Sequence, residues 1–92
     1  MNIYEKTGLE LGTLLVKKQQ AYGDSFGKAG KVLHILYPNG VKSDQYDDLL
    51  TVARILDKLF RIATDRDALG EDPYGDIAGY GLLAMVRRKS SE

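Results

Sequence analysis

Apolar residues recur along this chain at the spacing of helices rather than strands, and glycine, proline and capping residues divide it into four segments. The clearest pattern lies between about residues 44 and 68. At about 100° per residue, Leu49, Val52, Leu56, Leu59, Phe60 and Ala63 fall on one face, and Asp47, Arg54, Lys58, Arg61 and Asp65 on the opposite one. Ser43 suits the N-cap of this helix, and Asp44, Asp47 and Asp48 complement the positive end of its dipole.

Upstream, residues 3–21 read as an amphipathic helix with Leu11, Leu14 and Leu15 at helical spacing, closed by Lys17, Lys18, Gln19 and Gln20. Gly23 fits the left-handed residue that ends a helix, and Asp24 or Ser25 can cap a second helix over 25–37. Pro38-Asn39-Gly40 is a turn. Downstream, Asp72-Pro73 has the form of an N-cap followed by proline at the first helical position, opening a fourth helix over 73–89. That helix becomes almost wholly apolar after Asp76, so Asp76 is expected to enter a buried segment. The β-branched residues do not alternate, and no sheet is expected. The predicted fold is all-α, a compact four-helix bundle in a single domain spanning 1–92.

Composition narrows the classes. A domain of 92 residues buries only about 60–65% of its unfolded surface, so completion by self-association, at least to a dimer, is expected. Thirteen basic residues balance thirteen acidic ones, which is not the footprint of a general nucleic-acid binder. The absence of cysteine excludes a disulfide scaffold and thiolate-ligated metals. The first residues lack a signal-peptide pattern and no apolar run is long enough to span a bilayer, so a soluble, cytoplasmic chain without membrane partners is expected.

Three clusters carry candidate chemistry. In the first, Asp72 and Asp76 lie four apart, one turn above each other, where two carboxylates can share a divalent metal such as magnesium, with Glu71 beside them. Equally, Asp72 can be only a cap, and Asp76 a carboxylate bonded to a nearby tyrosine or arginine. In the second, Arg54, Asp57, Lys58 and Arg61 can hold phosphate, or can form an ordinary solvated row of i,i+4 pairs. Asp57 stands at the border of the two faces, where it can point toward the fourth helix. The third runs from Lys17 to Phe26. Tyr22 can stack on a base beside lysines, or Tyr22 and Phe26 can plug the end of the bundle. His34, the one histidine, is expected at the surface or core edge. A Cys–His pair is impossible, nothing supports a serine triad, and no glycine-rich phosphate loop is present. Gly75, Gly79 and Gly81 are expected to let helices approach closely.

Taken in order, the Lys-rich helix ending in Tyr22-Gly23, the stretch Arg54-Ile55-Leu56-Asp57-Lys58-Leu59-Phe60-Arg61-Ile62, and the block Glu71-Asp72…Asp76-Ile77-Ala78-Gly79-Tyr80 resemble the small proteins grouped as nucleotide modification associated domain 1. The resemblance covers roughly residues 17–86. These proteins are frequent in phages and prophages and look like compact relatives of the MazG-like all-α nucleoside triphosphate pyrophosphohydrolases. It implies an oligomeric helical bundle with a magnesium-dependent nucleotide site between helices, in the host cytoplasm if phage-encoded. By position, Asp76 looks like the aspartate of the family's second acidic motif, and Asp72 or Glu71 like its upstream carboxylate. The family's Glu-Glu-x-x-Glu motif is absent.

The resemblance thus implies catalytic roles for Asp57 and Asp76, with magnesium held by Asp57, Glu71, Asp72 and Asp76 to bridge phosphates and activate water. Lys17, Lys58 and Arg61 would neutralise phosphate, and Tyr22 and Tyr80 would stack on or orient the base. The reaction implied is hydrolysis of a nucleoside triphosphate to monophosphate and pyrophosphate. The missing motif leaves open a non-catalytic binder that sequesters a nucleotide or cyclic-nucleotide signal, and a structural helical interaction module.

Overall fold

A computed structural model describes residues 1–90 as four α-helices and two short 3-10 turns, with no strand among the described residues. The helices are α1 (Ile3–Tyr22), α2 (Ser25–Leu36), α3 (Tyr46–Asp65) and α4 (Pro73–Ser90), so the chain is all-α with the four expected segments. The third is shorter than the pattern predicts. Ser43–Gln45 is a 3-10 turn in which Gln45 Oε1 accepts from the Lys42 amide at 2.9 Å, and Ser43 caps nothing. At the other end α3 stops at Asp65, and the chain passes into a second 3-10 turn, Ala68–Gly70, in which Leu69 and Gly70 take left-handed φ values of 62° and 65°.

The α1–α2 corner uses the same device. Gly23 (φ 59°) and Asp24 (φ 57°) are successive left-handed residues, and the Asp24 carboxylate accepts from the Gly27 amide at 3.3 Å. A Cβ at Gly23 would collide with the Thr64 side chain, so the corner lies tight against the end of α3. Asp72 caps α4 as predicted, its Oδ1 accepting from the Tyr74 amide at 3.1 Å.

Helix α3 is the axis: α1, α2 and α4 each pack on it, and no other helix pair packs as extensively. The result is extended, 54 × 28 × 25 Å, with a radius of gyration of 16.3 Å against about 12 Å for a compact chain of this length. Its accessible surface is 7172 Å², where a compact monomer of this mass exposes about 5,300 Å². Few side chains are buried: Ala21, Leu56 and Pro73 among the apolar ones, Ser25 and Arg61 among the polar.

The burial expected of Asp76 is therefore corrected. Its side chain is 42% exposed, and the apolar residues that follow it, Leu82, Leu83, Met85 and Val86, are more than half exposed as well. Nothing outside their own turns lies within 4 Å of a Cβ built at Gly79 or Gly81, so these glycines serve no close approach within the chain. Phe26 is almost fully exposed and plugs nothing, and His34 is at the surface. Two residues of α3 depart from the usual amphipathic arrangement. Arg61, from the charged face, is fully buried, whereas Leu59, from the apolar face, is 47% exposed. No helix among the described residues is long and apolar enough to cross a membrane.

Candidate functional site

The last two turns of α1 put Lys18, Gln19 and Tyr22 on the side that meets α3, since residues four apart share a face. The left-handed corner then reverses the chain and returns Ser25 to the same place. On α3, Arg54, Asp57 and Lys58 stand at i, i+3 and i+4, and α4 contributes Tyr80. Together they line an open cleft of about 300 Å³, at the lower end of small-molecule sites. Three cations, one carboxylate and two phenol rings face it. Ser25 Oγ donates to Asp57 Oδ1 at 2.9 Å, so Asp57 points to the start of α2 and not toward α4. The Arg54 guanidinium lies 5.7 Å from the Tyr80 ring centroid, within cation–π range.

Behind the cleft, a bonded chain joins α1, α3 and the α3–α4 turn. Lys58 Nζ donates to Tyr22 Oη at 3.2 Å, and Tyr22 donates to Glu71 Oε2 at 3.2 Å. The same ammonium lies 3.3 Å from Asp76 Oδ2 and 3.9 Å from Glu71 Oε2. Burial pulls the Lys58 pKa down, but the Tyr22 hydroxyl and the Asp76 carboxylate outweigh it and hold the group above the usual lysine value.

Arg61 ends the chain. Its Nη1 donates to Glu71 Oε2 at 2.7 Å, and its Nη2 to the backbone oxygens of Arg66 (3.2 Å), Glu71 (2.8 Å) and Ala68. The guanidinium therefore ties down the carbonyls that the end of α3 and the left-handed turn leave unpaired. Its Nε–H is buried without a partner.

Of the residues expected at a site, Tyr22, Asp57, Lys58 and Tyr80 converge on the cleft. Lys17 does not line it; Lys18 does, one residue on and about 100° around the helix. Arg61, expected to neutralise phosphate, is enclosed by protein acceptors instead, and Arg54 takes the open position. Arg54 comes from the cluster expected to hold phosphate, whereas Lys18, Gln19 and Ser25 belong to the Lys17–Phe26 cluster without having been given a role of their own. The i,i+4 relation of Lys18 to Tyr22 and of Arg54 to Lys58 was the available signal.

The carboxylates do not fit a magnesium site. Among the described residues, no three His, Cys, Asp or Glu side chains come close enough to hold a metal. Asp57 is bonded to Ser25, Asp72 to the α4 backbone, Glu71 to Arg61, and Asp76 to Lys58. An ammonium stands between Asp76 and Glu71, the place a bridging cation would need. No family model matches this chain, and no curated protein or solved structure is significantly similar to it.

Proposed function

We propose that this chain is a non-catalytic binder of a nucleotide or nucleotide-derived anion, held in the cleft between α1, α3 and α4. The observation that carries the reading is the pairing of exposed cations with aromatic walls: Arg54 beside the Tyr80 ring, and Lys18 next to Tyr22. Arg54 can take a phosphate in bidentate fashion, and the phenol rings offer faces for a base. The Lys58 ammonium is already matched by Asp76 and Glu71, so it holds Tyr22 in place while Lys18 and Arg54 supply the unmatched charge.

Binding without hydrolysis is favoured over the pyrophosphohydrolase implied by the resemblance. That reaction needs carboxylates converging on one metal, and here each is engaged by a cation, a hydroxyl or the backbone.

The test is thermal stabilisation and calorimetry of the pure protein with a panel of mono-, di-, tri- and cyclic nucleotides, with and without magnesium, followed by recovery of the ligand. The expected result is stabilisation that EDTA does not abolish, with the ligand recovered intact. Arg54→Ala should weaken binding about tenfold or more, the worth of one charge-assisted hydrogen bond. Pyrophosphate release that is lost in Asp76→Ala would replace this reading with the hydrolase. No stabilisation by any nucleotide would leave the chain a structural helical module.

A further inference from the structure

We infer that the apolar flank of α3 is a docking surface for α1 of a second copy of this chain. The inference is independent of what the cleft binds, because it concerns the opposite side of α3.

That side carries an open hollow of about 250 Å³ lined by Val32 of α2 and by Leu56, Leu59, Phe60 and Ala63 of α3. Leu59 is 47% exposed in it, although this is the face whose periodicity marks it for burial. A matching ridge lies on α1. Leu14 is two turns before the buried Ala21 and in line with it, flanked by Leu11 and Leu15. Of this stripe only Ala21 is buried. Leu11, Leu14 and Leu15 remain 53%, 45% and 50% exposed.

The missing burial has the size of an interface. The 7172 Å² surface exceeds that of a compact monomer of this mass by about 1,900 Å². Removing that area from each of two copies would bury about 3,800 Å², within the range of obligate homo-oligomers. Ridge and hollow occur on the same chain, so each copy can both give and receive the contact, as a closed symmetric assembly requires. Equal numbers of acidic and basic residues mean that no net charge opposes self-association.

The chain has no cysteine, so introduced thiols report chosen positions only. Leu14→Cys and Leu59→Cys are made as separate single variants, mixed and oxidised, with Met85→Cys on the outer face of α4 as a control. The expected product is a covalent Leu14–Leu59 pair between copies, exceeding either homogeneous product. Sedimentation of the unmodified protein should give twice 10.2 kDa, or a higher closed multiple, and its unfolding midpoint should rise with concentration. Leu59→Glu should dissociate the assembly; if that variant does not fold, the concentration dependence of the unmodified protein decides. A monomer mass at all micromolar concentrations with a fixed midpoint would overturn the inference, leaving the flank to a different partner. Cross-linking confined to Met85→Cys would overturn it as well.

Discussion

A single buried guanidinium holds the α3–α4 turn together, and its replacement is expected to be the most damaging change in the cleft region. Arg61→Leu removes the donor shared by three carbonyls and Glu71, leaving acceptors unpaired at a site with no exposure. Loss of about 2–3 kcal/mol is expected, below the cost of breaking a fully buried pair because Glu71 is half-exposed. Glu71→Gln should cost only about 1 kcal/mol, since the amide oxygen still accepts. Urea titrations of both variants check the order. Lys58 gives a pH signature. Its folded pKa is raised, so its contribution is complete below the ordinary lysine value of 10.5 and is lost as pH rises through the higher folded one. The stability difference between the unmodified protein and Lys58→Met should therefore hold from pH 7 to 10 and shrink above it. An unchanged difference at pH 11.5 would rule out the Tyr22–Asp76 partnership as its source. Neither role was legible in the sequence. Periodicity placed Arg61 and Lys58 on a polar face, and burial of that face depends on carbonyls that only the folded turn presents.

The helices themselves were legible because their ends are written in local residues. Asp72-Pro73 and Gly23-Asp24 cap or stop helices through contacts within three or four positions, and the structure uses them so. Asp72→Ala should cost about 1 kcal/mol by leaving the first amides of α4 unpaired. Gly23→Ala should cost more, about 2 kcal/mol or above, because a left-handed φ of 59° is combined with a collision against Thr64. Thermal melts of both variants test this ranking. It would reverse if the corner relaxed away from α3. Where the ends of α3 depart from expectation, the cause is equally local. Gln45 folds back on Lys42, and beyond Asp65 the chain turns through Ala68–Gly70 with the non-glycine Leu69 left-handed. The cleft lysine depends on the helical turn itself. A helix turns about 100° per residue, so Lys18 lines the cleft and Lys17, one residue earlier, is exposed outside it.

At the scale of the molecule, α1 is the element that serves both sides. Its C-terminal turns supply Lys18, Gln19 and Tyr22 to the cleft, and its middle turns carry the leucine ridge assigned to a second copy. Within one chain α1 is anchored toward its C-terminal end, by the burial of Ala21 and through Tyr22 to Lys58 and Glu71. A ligand that engages Lys18 and Tyr22 would fix the direction in which the remaining 25 Å or so of helix projects, at about 1.5 Å per residue. Docking the ridge on another copy would fix the same direction from the middle of the helix. Each event pays part of the ordering entropy of the other, so the two should be positively coupled, and the coupling must be reciprocal. The expected outcome is that a saturating nucleotide lowers the concentration at which the assembly dissociates by about fivefold or more, the lower bound of ordinary coupling energies. Sedimentation across a dilution series, with and without the nucleotide identified by thermal stabilisation, measures it. The covalent Leu14–Leu59 assembly should in turn bind that nucleotide more tightly than the diluted, dissociated chain by the same factor. Equal affinities in the two states would mean that α1 is already rigid without either partner, and that its two contacts act independently.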